Sequence, residues 1–290
     1  MRHQLELHSF FYNNPRIAVA YSGGVDSSYL LYVAKTAGCD VRAYFVKSQF
    51  QPKFELDDAV RLSDLLGVSL TVVTIDALQD PNIALNPPER CYYCKSAILS
   101  KLWELARADG IDVLCDGTNA DDDEAGRPGM RALRELGVVS PLRDSGLTKA
   151  DIRQLSKQAG LFTHDKPSYA CLATRIPTGT EITQEILDKI ECAESMLFDM
   201  GFSGFRVRVI VKSGQTQEKQ DDESQTMQKK EHGDSSFASP EQERDSPAMK
   251  IIANIQMPKD QWNIAKARHA EILATLEPSF DSVALDLRSG

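Results

Sequence analysis

The run Ile17-Ala18-Val19-Ala20-Tyr21, followed at once by Ser22-Gly23-Gly24-Val25-Asp26-Ser27-Ser28, constrains this chain more than any other stretch. Residues 17–21 are apolar enough for a buried strand, Gly23 and Gly24 permit a tight turn, and residues 26–37 have helix character. That order puts the backbone N–H groups of 23–28 and the hydroxyls of Ser22, Ser27 and Ser28 around a helix N-terminus, where the dipole favours negative charge. A pyrophosphate group is the ligand such a cradle suits. No Gly-Lys-Ser/Thr follows, so this is not the Walker A pattern, and the glycines lack the G-x-G-x-x-G spacing of a dinucleotide turn. The plain alternative is a glycine-rich turn in any doubly wound domain.

Apolar runs at 17–21, 41–46, 70–75 and 111–115 alternate with helical patterns near 26–37, 54–66 and 95–108. This βαβαβαβ order predicts an α/β fold with a doubly wound parallel sheet, whose ligands lie beyond the carboxyl ends of the strands. The 22–28 loop sits at such an end, as does Asp116-Gly117-Thr118-Asn119. Thr148, with Asp151 three residues on, starts a helix over 149–159, and Gly160 stops it. The first domain therefore spans 1–162. Residues 163–182 read as a long ordered loop, the kind that carries function inside a compact domain. A smaller α+β module fills 183–290, in the order helix 183–200, strand 205–211, strand 250–256, helix 259–275 and strand 282–287. Residues 212–248 interrupt it with nine acidic and five basic side chains and almost no large apolar ones, so disorder is expected there, a partner-binding or regulatory segment being the functional alternative.

At 290 residues and 42 % apolar composition the chain has ample core material. It shows no signal-like N-terminal run and nowhere about 18 uninterrupted apolar residues, which leads to the expectation of a cytoplasmic protein without a membrane partner. Six cysteines are too few and too unevenly spaced for a disulfide scaffold, so those that matter are thiols or metal ligands. A net charge of −9 argues against a broad nucleic-acid surface. Cys91 and Cys94 form a C-x-x-C pair, which suits a zinc half-site, a redox dithiol or iron-sulfur ligation. Arg206 and Arg208 alternate on a strand and project to one face, where they suit a phosphate or carboxylate unless that face is merely solvated.

Ser22-Gly23-Gly24-Val25-Asp26-Ser27-Ser28 resembles the pyrophosphate loop of the N-type ATP pyrophosphatases, which split ATP to AMP and pyrophosphate. Three further segments resemble the LarE family: Pro87-Pro88-Glu89-Arg90-Cys91-Tyr92-Tyr93-Cys94-Lys95, Asp116-Gly117-Thr118-Asn119-Ala120-Asp121-Asp122, and Asp165-Lys166-Pro167-Ser168-Tyr169-Ala170-Cys171-Leu172-Ala173-Thr174-Arg175. The shorter Arg127-Pro128-Gly129, Gly146-Leu147-Thr148-Lys149 and Phe205-Arg206-Val207-Arg208 add to the likeness, which runs from residue 15 to about 210 and, more weakly, over 250–290. The resemblance implies a fold similar to the adenine nucleotide alpha hydrolases and an ATP-dependent sulfur transferase. Such an enzyme converts a carboxylate of pyridinium-3,5-dicarboxylate mononucleotide to a thiocarboxylate, for the nickel-pincer cofactor of lactate racemase.

The resemblance also implies the site. ATP would be held by Ser22, Gly23, Gly24, Asp26, Ser27, Ser28, Gly117, Thr118, Asn119 and Asp121, with Asp26 on magnesium. Cys171 would attack the acyl adenylate, with Glu194, Arg206 and Arg208 near it and Arg175 meeting anionic substrate. Relatives with cysteines at the positions of Cys91, Cys94 and Cys171 are similar in binding a 4Fe-4S cluster, whose open iron can carry sulfide. Cluster-borne sulfide is the preferred source here, sacrifice of Cys171 the alternative. Lys166 would bind the nucleotide or face water, and Cys39, Cys115 and Cys192 would be ordinary buried thiols. Homo-oligomers, a sulfur donor and downstream nickel-insertion and racemase-maturation proteins are the implied partners. The chain departs from the pattern at His164, where tryptophan is usual, at Thr178, where tyrosine is usual, in the long insert, and at Leu287-Arg288-Ser289-Gly290, where the expected tail is missing. Substrate contacts are what these departures touch. Adenylation of another acceptor, as in tRNA thiolation or NAD and GMP synthesis, is the second enzymatic reading, and an ATP- or cluster-sensing regulator is the third.

Overall fold

Alternating burial along the first two strands sets the architecture. In β1 (Arg16–Ala20) Ile17 and Val19 point to one face and Ala18 to the other; in β2 (Asp40–Lys47) Val41, Ala43 and Phe45 oppose Tyr44 and Val46. A strand buried on both faces needs helices on both, and a parallel sheet supplies the crossovers that bring them. The computed structural model describes residues 2–122, 128–212 and 250–286. Its first sheet is fully parallel in the order β3-β2-β1-β4, with β3 at Ser69–Thr74 and β4 at Leu114–Asp116.

One face is covered by α1 (Arg2–Asn13), α2 (Val25–Thr36), α3 (Lys53–Leu66) and, further along the chain, residues 149–158. Leu7, Phe11, Leu30, Leu31, Leu62 and Ile152 are at most 2 % exposed there, each stabilising by roughly 1.5–3 kcal/mol. The short α4 (Pro81–Ala84) precedes α5 (Arg90–Ala108), and α5 with α6 (Pro128–Glu135) covers the other face through Leu99, Leu102, Met130 and Leu133. After α7 (Pro141–Asp144) comes α8 (Lys149–Gln158), whose Thr148 and Asp151 form the expected capping box.

The smaller module holds α9 (Gln184–Asp199), β5 (Arg206–Lys212), β6 (Lys250–Gln256), α10 (Trp262–Ala267), α11 (His269–Leu276) and β7 (Ser282–Asp286). Its sheet runs β5-β6-β7, antiparallel then parallel. Val207, Val209, Ile251, Ala253 and Ile255 face α9 and α11 in a core that also takes in Phe50, Ala77 and Ile83 from the first sheet's loops, and Leu172 and Ala173.

Four local differences from the sequence reading have physical causes. The strand foreseen at 111–115 is Leu114–Asp116, because Ile111 is buried as loop after Gly110 at φ +71°, and an apolar run does not separate strand from buried loop. The helix foreseen from 95 starts at Arg90, so Cys91 lies in its first turn and Cys94 at the start of its second. The helix foreseen over 259–275 is a 3-10 turn, α10 and α11, broken at Arg268, whose Nη1 instead donates to Met200 O at 2.6 Å. The 163–182 segment contains a 3-10 turn at Leu172–Arg175. Apart from Lys212, the foreseen insert 212–248 lies outside the described residues, as do 287–290. Among the described residues no helix is long and apolar enough to cross a membrane.

Candidate active site

The turn between β1 and α2 is built to leave a helix end open. Gly24 is the N-cap of α2 and no side chain caps it. Ser22 Oγ and Ser27 Oγ lie 3.1 Å apart, and Ser27 Oγ donates to Gly24 O at 3.3 Å, so the hydroxyls brace one another around the uncapped N–H groups. Gly23 has φ +73°, and a Cβ there would stand 2.8 Å from Glu55 O. Gly117 approaches from the neighbouring strand end, since β4 pairs with β1; an added Cβ would lie 2.7 Å from Ser27 N. Only glycine allows two backbones that close. The result is a cradle of backbone donors at a positive helix end, the geometry that holds phosphate.

Asp26 sits in the first turn of α2. Lys149 Nζ, at the start of α8, reaches its Oδ2 at 2.6 Å, while Oδ1 is buried with no hydrogen-bond partner. A buried carboxylate oxygen left unpaired beside a phosphate cradle fits a divalent cation, so Asp26 is the residue that would hold magnesium. Lys166 ties the Cys171 loop to the same turn: its Nζ donates to Gly23 O at 3.1 Å and pairs with Asp58 at 2.7 Å.

Ser22, Gly24, Asp26 and Ser27 line one wall of a cavity of about 690 Å³, and Cys91, Cys94 and Cys171 line another. Burial pushes the Cys94 thiol up to about 12, with Cys171 and Cys91 close enough to add to the rise. Burial raises Cys171 as well, with the Arg90 guanidinium opposing part of the rise. The three thiols therefore lie near one another on the cavity wall. Three soft donors are the right kind for an iron-sulfur cluster. Among the described residues, however, no group of three or more His, Cys, Asp or Glu side chains converges to hold a metal ion.

Behind Cys171 stands a buried clamp. Glu194, 2 % exposed on α9, accepts from Arg175 Nε at 2.8 Å and Nη2 at 3.2 Å, from Val207 N at 3.0 Å, and from the Tyr169 hydroxyl. Arg175, 1 % exposed, also donates to Ala170 O at 2.9 Å. Arg208 Nη1 donates to Thr174 O at 2.7 Å and its Nε to Gln256 at 2.8 Å. The loop carrying Cys171 is thus fastened from both sides to the smaller module.

Comparison with known proteins agrees with this layout. Residues 15–77 match the family model described as the tRNA methyl transferase HUP domain. An uncharacterised protein of Synechocystis is 38 % identical over 203 residues, 70 % of this chain and 76 % of that one. The pyridinium-3,5-bisthiocarboxylic acid mononucleotide synthase of Lactiplantibacillus plantarum is 34 % identical over 195 residues, 67 % of this chain and 71 % of that one. The chain belongs to the LarE family of ATP-dependent sulfur transferases. A tRNA-specific 2-thiouridylase of Pseudothermotoga lettingae is more distant, at 26 % identity over 52 % of this chain and 54 % of its own.

Within that LarE framework the expected site residues fall into three groups. Ser22, Gly24, Asp26, Ser27, Gly117, Thr118, Cys91, Cys94 and Cys171 meet at the cavity. Gly23, Ser28, Asn119 and Asp121 stand behind it: Ser28 contacts the Tyr21 hydroxyl at 3.4 Å, and Asn119 and Asp121 brace their own loop, Asp121 also accepting from Lys149 N at 2.8 Å. Arg175, Glu194, Arg206 and Arg208 are off the cavity wall, with Arg206 exposed. Cys39 and Cys115 are buried as expected, but Cys192 is exposed on α9, because the helical stripe facing the core runs through Ile190, Ala193 and Leu197 instead. His164 Nδ1 lies 2.9 Å from Leu161 O, and Arg153 holds the carbonyls of His164 and Lys166 at 2.9 and 2.8 Å. Sequence reasoning passed over Arg90, Lys95, Lys149 and Glu55, all on the cavity wall. The first three stood inside quoted motifs, whereas Glu55 had no signal beyond a helix first turn.

Proposed function

We propose that this protein splits ATP to adenylate a carboxylate of pyridinium-3,5-dicarboxylate mononucleotide, and that a sulfur nucleophile then displaces AMP to leave a thiocarboxylate. One observation carries this reading: an anion-binding helix end and three thiols share a single cavity. In the first step a carboxylate oxygen bonds to the α-phosphorus while pyrophosphate leaves onto the cradle of Ser22, Gly24 and Ser27, beside Asp26. In the second, sulfur bonds to the carbonyl carbon and the carbon–oxygen bond to AMP breaks. A carboxylate would have to expel oxide, whereas the mixed anhydride expels a stabilised phosphate anion, which is why ATP is used. Glu194 and Arg175 position the Cys171 loop, Arg208 holds Thr174, and Arg206 is left outward for an anionic part of the substrate.

For the sulfur, we favour Cys91, Cys94 and Cys171, three thiols on one cavity that do not converge as on a single metal ion, as ligands of a 4Fe-4S cluster, which if bound would supply an open iron for sulfide. Sacrifice of Cys171 is the competing source. A homo-oligomer in the cytoplasm, feeding nickel insertion for a lactate racemase, goes with this reading. The 26 % identical thiouridylase favours tRNA as a second class of acceptor, and the net charge of −9 weighs against it. The test is anaerobic incubation with ATP, magnesium, sulfide and the mononucleotide, with mass spectra of acceptor and protein. Thiocarboxylate with the protein mass unchanged is expected; loss of one hydrogen sulfide from the protein would assign the sulfur to Cys171, and an unmodified acceptor would contradict the function.

A further inference from the structure

Arg90 opens α5 and is 7 % exposed. Its position is costly on two counts. A guanidinium taken from water calls for a partner anion, and a cation in the first turn of a helix meets the positive end of the dipole. Among the described residues the one hydrogen bond of its guanidinium runs from Nη2 to Cys91 Sγ at 3.4 Å, with the Phe50 ring centroid 5.9 Å away. Sulfur is a weak acceptor, and no described carboxylate pairs with Arg90. The contrast with Arg175 is direct: that arginine, 1 % exposed, holds Glu194 through two nitrogens. Arg90 is also buried but without the anion, and it faces the cavity.

Lys95 lies one turn beyond Cys91 on the same helix and reaches the same cavity. Its stem crosses Gly129, where a Cβ would stand 2.9 Å from Cδ, so the lysine is held to that path, and no described carboxylate pairs with it either. Arginine presents a planar fork that matches a carboxylate.

We propose that Arg90, assisted by Lys95, is a carboxylate subsite that holds the sulfur acceptor beside the thiols. The naming of that acceptor rests on the function proposed above; the subsite does not. A dicarboxylate acceptor has one carboxylate to react and one to be held, and the two cations on α5 would select it over a neutral amide of the same shape.

The test uses the full chain, reduced and purified without iron, and compares alkylation of Cys91 by iodoacetate and by iodoacetamide through peptide masses. Any effect of Arg90 on thiol ionisation cancels in the ratio of the two rates, which leaves carboxylate recognition. The ratio should exceed that of free cysteine in the wild type, fall about tenfold in Arg90→Gln, and fall less in Arg90→Lys and Lys95→Gln. Pyridine-3,5-dicarboxylate should protect Cys91 in the wild type and not in Arg90→Gln, while inorganic phosphate should not protect. A wild-type ratio equal to free cysteine's, a ratio unchanged in a folded Arg90→Gln, or protection by phosphate as good as by the dicarboxylate would overturn the proposal. Failure of the wider functional reading would show differently, as no AMP from ATP with the mononucleotide while the alkylation ratio stays high.

Discussion

Gly117 shows how much a single missing side chain can decide. A Cβ there would stand 2.7 Å from Ser27 N, so Gly117→Ala must push α2 away from the cradle. Overpacking of this kind costs about 1–3 kcal/mol, and a cradle displaced by about an ångström is expected to lower ATP-dependent AMP release roughly a hundredfold, read in a coupled pyrophosphate assay beside a thermal melt. Glu55 offers a second test at this scale. Burial pushes its carboxyl up to about 7, with Lys166 opposing and Asp58 adding to the rise. A carboxyl raised in the folded state binds more protons there than when unfolded, so its ionisation lowers stability as pH climbs from the ordinary carboxylate range through 7, by up to about 3 kcal/mol. Glu55→Gln should therefore melt higher than the wild type at pH 8 and level with it near pH 4; equal melting at both would contradict the assignment. Gly117 was legible in the sequence as part of a strand-end loop, but its closeness to Ser27 depends on β1 and β4 being neighbours, and Glu55 on a burial that a first-turn glutamate does not advertise.

Two elements carry the site's geometry, and they differ in how openly they were written. The capping box of α8 could be read from Thr148 and Asp151 alone, because cap chemistry is local. Thr148→Ala should cost about 0.5–2 kcal/mol, and by loosening the first turn it should move the competing Lys149 cation from Asp26, lowering the magnesium needed for half-maximal AMP formation. The first turn of α5 was not readable in this way. Pro87 and Pro88 blurred its start, so Cys91 and Cys94 were assigned to no element, although their placement on one helix end gives Arg90 and the thiols their common wall. The clamp across the 3-10 turn was half readable: Glu194 and Arg175 were singled out, but as groups near substrate, and only folding brings them together at 2.8 Å. Breaking a buried pair by removing one charge costs about 3–5 kcal/mol. Glu194→Gln should lose that much in urea unfolding and should slow sulfur transfer while ATP binding holds, as a positioning residue would.

At the scale of the whole molecule, the βαβ alternation fixed a parallel sheet covered on both sides, and the placement of both ligand loops at strand carboxyl ends followed from it. The order β3-β2-β1-β4 did not follow, because periodicity carries no information on which strands pair. Nor did the core that joins the two sheets, since Phe50 and Leu172 lie in loop and turn segments where apolar side chains give no periodic signal. That shared core lets the thiol-bearing loop face the phosphate cradle across one cavity, and the account stands on what the cradle does to ATP. The most direct measurement is the identity of the products when ATP labelled in its α-phosphate is incubated with magnesium, sulfide and pyridinium-3,5-dicarboxylate mononucleotide. AMP and pyrophosphate in equal amounts, formed only when the mononucleotide is present, are the predicted result; ADP with phosphate, or AMP at the same rate without the acceptor, would contradict it.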